Sequence, residues 1–341
     1  MRSRWFFARV AASFAALSSV CSAPASADAV ADFYKGKTMT IVVGFSPGGG
    51  YDLYARLLSR HIGRNMPGTP DVIVQNSPGA GSLTAVRQLD ATLAKDGRYM
   101  TAFNPALLLE SLTSPEKTKF NFANLAWIGS MYPDVRVCYF WHTTGIKTWD
   151  DVVARKEINI GATGRGTGAY VNAAILKNLF QVNLRIILGF PGGAEQILAL
   201  ERGELDADCG SWSSVPSDWL RDKKVTPVVT FSSGRVEGLP ENVRFVGDFA
   251  KTQEQRDILS LLTAGGELGR PYVMSQAVPA DRVEAVRKAF DASMKDKALL
   301  AEAARLNAPI DPTPGARAKE IIDRIYAAPP GIVAKAKAII E

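Results

Sequence analysis

This sequence predicts an α/β fold of two lobes, each a mostly parallel sheet flanked by helices, with a ligand cleft between the lobes. Three observations predict it. Four times along the chain, an apolar run rich in β-branched residues breaks into a glycine-rich loop and opens onto a helical pattern, the signature of strand, tight loop and helix. Strand-like and helix-like segments alternate throughout, as in parallel sheets covered on both faces. A chain of 341 residues, 47% of them hydrophobic, is long enough for two domains with a full core each.

The first unit is Thr40-Ile41-Val42-Val43, the loop Gly44-Phe45-Ser46-Pro47-Gly48-Gly49-Gly50-Tyr51-Asp52 and the helical Leu53-Tyr54-Ala55-Arg56-Leu57-Leu58. The second joins Ile73-Val74-Gln75-Asn76, through Ser77-Pro78-Gly79-Ala80-Gly81-Ser82, to a helix over 83–89. In the third, Ile158-Asn159-Ile160 leads through Gly161-Ala162-Thr163-Gly164-Arg165-Gly166-Thr167-Gly168 to a helix over 169–180. The fourth runs from Ile186-Ile187-Leu188 through Gly189-Phe190-Pro191-Gly192-Gly193-Ala194-Glu195 to a helix over 196–201. The first N–H groups of a helix lack intrahelical partners and carry the positive end of its dipole, so each loop is suited to an anion. Ligands of such sheets sit beyond the carboxyl ends of the strands, where all four loops fall. The stretch from Gly44 to Gly49 is echoed by that from Gly189 to Gly193, and two lobes facing each other bring the loops together. Further on, an extended return over 265–274 precedes helices over 280–294 and 297–306; Pro312 and Pro314 then break the pattern before helices over 316–327 and 332–340.

Several chemistries are disfavoured. Gly44-Phe45-Ser46-Pro47-Gly48 spells the G-x-S-x-G elbow of a hydrolase, but the oxyanion hole needs the N–H after the serine, and Pro47 has none. His61 and His142 are the only histidines, and His61 lies in the helix that the loop opens. A dinucleotide enzyme, the rival from another class, would need G-x-G-x-x-G; the spacing from Gly161 to Gly168 differs, and Gly189-Phe190 stands where the ribose-binding acid belongs. No glycine loop ends in the lysine of a P-loop. Asp206 and Asp208 straddle a strand ending near Ser211 without a nearby histidine, a poor metal site. No catalytic residue, cofactor or metal is expected.

Arg2, Arg4 and Arg9 lie around and before an apolar stretch over 10–20, followed by Ala25-Ser26-Ala27, the A-x-A form of a signal-peptidase site. Export and cleavage after Ala27 are therefore expected, with a periplasmic mature chain. Losing three arginines and no acid lowers the formal charge from +6 to +3. The remaining basic residues are scattered, which argues against a nucleic-acid partner. Cys138 and Cys209 survive processing; an oxidising compartment permits a bond between them, and two buried thiols are the alternative.

Taken together, Tyr34-Lys35-Gly36-Lys37, the loops around Ser46 and Pro78, Gly189 to Glu195, Glu201-Arg202-Gly203-Glu204-Leu205-Asp206 and Gly269-Arg270-Pro271 resemble, in order and spacing, the periplasmic substrate-binding proteins of tripartite tricarboxylate transporters, the Bug family. The resemblance covers essentially the whole mature chain. It implies a type II-like two-lobe periplasmic binding protein that closes on a small organic acid and delivers it to permease subunits in the membrane. On this reading residues 28–133 and 253–341 form lobe one and 134–252 form lobe two. It also implies that a ligand carboxylate is held by Phe45, Ser46, Pro47, Gly48, Gly49, Gly50, Tyr51 and Asp52 and by Pro78, Gly79, Ala80, Gly81 and Ser82, largely through backbone amides and bridging waters. Lobe two would close with Thr163, Gly164, Arg165, Gly166, Thr167, Phe190, Pro191, Gly192, Ser211 and Trp212. A monomer is expected, and a signalling partner in place of a permease is a third reading that the sequence does not separate.

Each residue also has a plainer role. Asp52 falls where an acid caps a helix, against direct contact with a ligand donor. Phe45, Phe190 and Trp212 flank strands, where aromatics are more often core, while Tyr51 sits in the loop itself. Arg165, the one cation within the loops, either meets a second carboxylate or stays solvated. Arg270 is expected to hold the interlobe segment. From the leader follows a direct check: intact mass of protein recovered from the periplasm should match a chain beginning at Asp28, and a retained leader or a lipid on Cys21 would overturn the assignment.

Overall fold

The structure is a computed structural model that describes residues 25–232, 236 and 238–341. The leader read over 1–27 falls, up to residue 24, outside the described residues, and helix Ala25–Tyr34 opens them. Strands β1 (Thr38–Val43), β2 (Asp71–Asn76), β3 (Tyr99–Ala102), β4 (Ala126–Ser130), β5 (Val137–Trp141), β6 (Ile158–Ala162), β7 (Leu184–Leu188), β8 (Ala207–Asp208), β9 (Val225–Thr230), β10 (Arg244–Phe245), β11 (Pro271–Met274) and β12 (Thr313–Pro314) form two sheets. Their orders are β12-β4-β11-β3-β1-β2 and β10-β9-β5-β8-β6-β7.

These sheets are mixed, a correction to the expectation of mostly parallel ones. β1 runs parallel to β2 and β3, but β11 is antiparallel to β3 and β4. Likewise β6 runs parallel to β7 and β8, while β5 is antiparallel to β8 and β9. The cause is the path of the chain. β5 carries it into the second sheet and β11 returns it to the first, and a strand arriving at the carboxyl edge of a sheet must run back through it. Both sheets therefore follow one plan, with β2-β1-β3-β11-β4 matching β7-β6-β8-β5-β9.

β1, Thr-Met-Thr-Ile-Val-Val, is buried from Met39 onward because helices cover both faces of its sheet, whereas the edge strand β2 alternates between exposed and half-buried. One core face of the first sheet holds Met39, Ile41, Tyr54, Leu57, Tyr272 and Phe290. The other, with Phe103, Trp127 and Ile322, is continuous with the core of the second sheet around Phe140, Ile160 and Leu176. Tyr139, Trp141, Leu200 and Trp219 cover the remaining face of the second sheet. Most expected helices are present, at Leu83–Ala91, Ala280–Ser293, Lys297–Arg305, Gly315–Tyr326 and Pro330–Ile340. The one expected over 169–180 is helical from Gly168 to Ala174 and widens into a π turn over Ile175–Leu179. Helix Gln253–Thr263, absent from the sequence reading, begins at a capping box of Thr252 and Gln255. The last helix, Pro330–Ile340, packs on Gln253–Thr263 and also meets the second sheet's helix, where the Tyr170 hydroxyl donates 2.9 Å to the Ile340 carbonyl.

Two features of the β5–β8 pair generate predictions. A disulfide joins Cys138 on β5 to Cys209 just beyond β8, both fully buried, closing a loop with a sequence separation of 71. Replacing both cysteines by alanine should lower the unfolding free energy by about 2–4 kcal/mol in denaturant titrations; equal stability, or quantitative alkylation of both thiols without reductant, would contradict the bond. Next in register, the Tyr139 hydroxyl donates 2.9 Å to the Asp208 carboxylate, and burial pushes that carboxyl from its ordinary 3.8 up to about 6, with Tyr139 and Arg136 opposing the rise and Asp134 adding to it. Between about pH 4 and 6 the folded state then binds more protons at Asp208 than the unfolded state, so this residue's contribution to stability falls as pH rises through that window. Asp208→Asn removes the term. The stability of the variant relative to the parent should rise by about 1 kcal/mol or more from pH 4.5 to 7, and a pH-independent difference would refute the assignment.

Candidate functional site

The four glycine loops follow the edge strand and its parallel neighbour in each sheet and stand at the carboxyl edges: 44–49 after β1, 77–82 after β2, 163–167 after β6 and 189–192 after β7. Within the first pair the packing is close. A Cβ on Gly44 would lie 2.8 Å from the Ser82 Cα, so only glycine lets the loops run side by side, and the Ser82 hydroxyl in turn accepts the Asn104 N–H at 2.9 Å. Gly48 has φ +87° and Gly79 φ +145°, conformations that a β-branched residue adopts only under strain.

Asp52 locks the first loop. Its carboxylate accepts the Gly48 N–H, Arg56 Nε and Asn76 Nδ2, each at 2.9 Å, so both oxygens are engaged. Burial opposes its ionisation, but the hydrogen bonds from Arg56, Gly48 and Asn76 outweigh it and hold the carboxyl below its usual range. This geometry is that of a helix-start brace.

Across the molecule the loops pair diagonally. The Ser46 N–H donates to the Pro191 carbonyl at 3.4 Å, and the Ser46 hydroxyl donates to Glu195 Oε2 at 2.7 Å. A Cβ on Gly49 would stand 3.4 Å from the Gly193 nitrogen. In the other diagonal, a Cβ on Gly164 would be 3.1 Å from the Gly81 nitrogen, and one on Gly81 would be 2.9 Å from Thr167 Cγ2. The loop after the inner strand β1 or β6 of one sheet thus meets the loop after the edge strand β7 or β2 of the other, twice, as an approximate two-fold axis requires.

The same axis relates two arginines, Arg270 fully buried and Arg136 half-buried. Arg270 immediately precedes β11 and Arg136 immediately precedes β5. A Cβ on Gly50 would lie 2.8 Å from Arg270 Nη2, and a Cβ on Gly168 would lie 2.8 Å from Arg136 Cζ; each guanidinium fills the side-chain space at the start of a loop's helix. Arg270 donates to the hydroxyls of Ser211 at 2.7 Å and Ser214 at 2.9 Å, and lies over the rings of Tyr51 at 4.6 Å and Tyr54 at 5.3 Å. Asp134 sits between the arginines, in an ion pair with Arg136 and 4.0 Å from Arg270. Burial works against its charge, but Arg136 and Arg270 prevail and keep its carboxyl low. Burial also pushes the Tyr51 and Tyr54 hydroxyls up to about 12. The two crossing segments pair through their backbones, Asp134 N–H to Gly266 at 2.7 Å and Arg270 N–H to Tyr132 at 3.1 Å.

Phe45 stacks on Tyr51 at 4.8 Å, and both are buried; Tyr51 donates to the Gly269 carbonyl at 3.3 Å, turning toward the crossing segments. Phe190 packs half-buried on the core face around Trp219, and Trp212 meets Tyr139 edge-on at 6.4 Å. Arg165 donates to the Tyr170 hydroxyl at 2.6 Å and to the Glu341 backbone oxygen at 3.2 Å. Pro47, Gly48, Pro78, Gly79, Ala80 and Pro191 are exposed at the loop tips, while Ser46, Gly49, Gly166, Thr167 and Gly192 are buried between them. Ser46 has Glu195 as partner, and His61 is bound 2.6 Å from Glu302 at the other end of its helix, so the hydrolase arrangement is not assembled. On the other side of the crossing segments lies a cavity of about 810 Å³ lined in part by Asn104, Asp134, Arg136, Asn172, Phe231 and Leu259. Of the glycine-loop residues read from the sequence, Gly168 lines it, where the third loop gives way to its helix. Asp134 and Arg136 were missed because no motif surrounds them; the signal available was a pair of charges, two apart, in the short apolar stretch leading into β5.

No protein-family model matches the chain, and no curated protein matches its sequence. Solved structures do match in fold. The periplasmic binding protein BugD superposes with a TM-score of 0.72 at 18% identity over 90% of this chain and 98% of its own. MatC from Rhodopseudomonas palustris, with bound malate, has a TM-score of 0.69 at 18% identity over 89% of this chain and 99% of its own. Another R. palustris protein, with adipate, has a TM-score of 0.69 at 14% identity over 89% of this chain and 97% of its own. With its two mixed sheets and its glycine loops at their carboxyl edges, the chain has the two-lobe α/β fold of these periplasmic binding proteins.

Proposed function

We propose that this chain is a periplasmic solute-binding protein of the tripartite tricarboxylate, or Bug, type, which captures a small organic acid between its lobes, catalyses no reaction and delivers the acid to membrane permease subunits. The observation that carries the proposal is the convergence of four glycine loops, two from each sheet, on one interlobe seam. Their donors are mostly backbone amides at helix starts, which suit a carboxylate and leave room for bridging water. The neighbours in fold that hold malate and adipate support the same ligand class. On this reading lobe one comprises 28–133 and 253–341 and lobe two 134–252, and the paired segments 131–136 and 265–270 are the hinge. Ser46 to Asp52 and Pro78 to Ser82 hold the carboxylate, and Thr163 to Thr167, Phe190 to Gly192, Ser211 and Trp212 close over the rest of the ligand. Asp52 acts by fixing the first loop.

A thermal-shift panel of mono-, di- and tricarboxylates, malate and adipate included, should identify ligands, since an acid at 100 times its Kd adds about 2.7 kcal/mol of stability. Calorimetry with the best acid should show one-to-one binding that Gly48→Val and Gly79→Val abolish in folded protein, because both positions hold φ values hostile to valine and the Gly79 Cβ would meet Thr84 Oγ1 at 2.6 Å. Asp52→Asn should weaken binding far less. Unchanged affinity in both glycine variants, or turnover of the acid, would refute the proposal.

A further inference from the structure

The loop assigned above to the ligand's carboxylate already faces a carboxylate. Both donors of Ser46 are taken by acceptors from the opposite sheet, its N–H by the Pro191 carbonyl at 3.4 Å and its hydroxyl by Glu195 Oε2 at 2.7 Å. The fit around them is close: a Cβ on Gly192 would stand 3.2 Å from the Ser46 nitrogen and 3.3 Å from Glu195 Oε2. Glu195 lies half-buried in the first turn of helix Gly193–Glu201, where a negative side chain is favoured by the helix dipole, so its charge is held in place without a cation. Among the described residues no ion pair is recorded for it. Glu195 is thus a carboxylate supplied by one lobe and hydrogen-bonded by the anion loop of the other.

The geometry points to Glu195 as an internal stand-in for the ligand's carboxylate: in the ligand-free protein it occupies the Ser46 donor and draws the lobes together, and an incoming acid must displace it. The inference rests on the acid-binding reading above and adds a determinant of affinity to it. The acid and Glu195 compete for one hydroxyl and repel each other as like charges in a partly desolvated seam, so the wild-type chain binds acids more weakly than its loops alone would allow. Neutralising Glu195 removes the competitor, and removing its side chain also releases the seam.

Two measurements separate this inference from the function on which it rests. In small-angle scattering of ligand-free protein, Glu195→Ala should have a larger radius of gyration than wild type; an unchanged radius overturns the stand-in. In calorimetry with malate, adipate and the best acid of the panel, Glu195→Gln should tighten binding by about tenfold, whereas equal or weaker binding overturns the competition and makes Glu195 a bystander or a ligand partner. Glutamine is nearly isosteric at a half-buried surface position, and melting curves verify that both variants fold. A larger radius for Glu195→Ala without acid binding by any form would support the interlobe contact while refuting the acid-binding function.

Discussion

A guanidinium buried where the chain crosses between its two sheets is the constraint around which the rest is arranged. Arg270 is 2% exposed, so its charge must be met from within. Tyr51 and Tyr54 offer ring faces from the helix after β1, Ser211 and Ser214 offer hydroxyls from the second sheet, and Asp134 on the neighbouring crossing segment offers the nearest negative charge. One side chain thereby touches the first sheet's helix, the crossing strands and the second sheet's loop. Gly50 follows from it, since any Cβ there would enter the guanidinium. Loss of Arg270 would leave Asp134 buried beside Arg136 alone and open a hole under two tyrosines, which makes the position costly to change.

Arg136 repeats the arrangement against Gly168, and with it the design reads as one motif used twice. The two sheets share one order, an antiparallel strand that follows a crossing segment is inserted beside β3 in one and beside β8 in the other, an arginine precedes that strand, and a glycine opens the helix against it. The diagonal pairing of the glycine loops is the outcome. The first loop of each lobe is braced from below by an arginine and meets, from above, the second loop of the other lobe.

Much of this was legible in the sequence. The β-branched runs and glycine loops placed β1, β2, β6 and β7 and the helices after them, because each signal is local and the chain obeys it. The role of Asp52 was legible for the same reason: an acid in a first turn has backbone amides and short-range partners at hand. The mixed sheets were not legible, because the direction of β5 and β11 is fixed by the return of the chain between lobes and leaves no trace in the periodicity of either strand. Tyr51 misled in a similar way. Its loop position suggested an open cleft, but the ring is drawn inward by Arg270, a partner 219 positions away that no spacing rule connects to it. Asp134 and Arg136 went unread because a charge in a linker looks solvated until the linker is known to be buried. The contact between Ser46 and Glu195 joins two motifs that the sequence displayed separately, and only the fold brings them together.

The central claim is that the four glycine loops form the ligand-gripping seam while the arginine-lined crossing segments are the frame behind it. Hydrogen–deuterium exchange with and without the best acid of the panel tests it most directly. Protection is predicted in 46–52, 78–82, 163–168 and 190–195, from both lobes together, with the amides of 131–136 and 265–270 unchanged. Protection that spares those loops and falls instead on residues around the cavity on the other side of the crossing segments, such as 104–106 and 259–266, would contradict it.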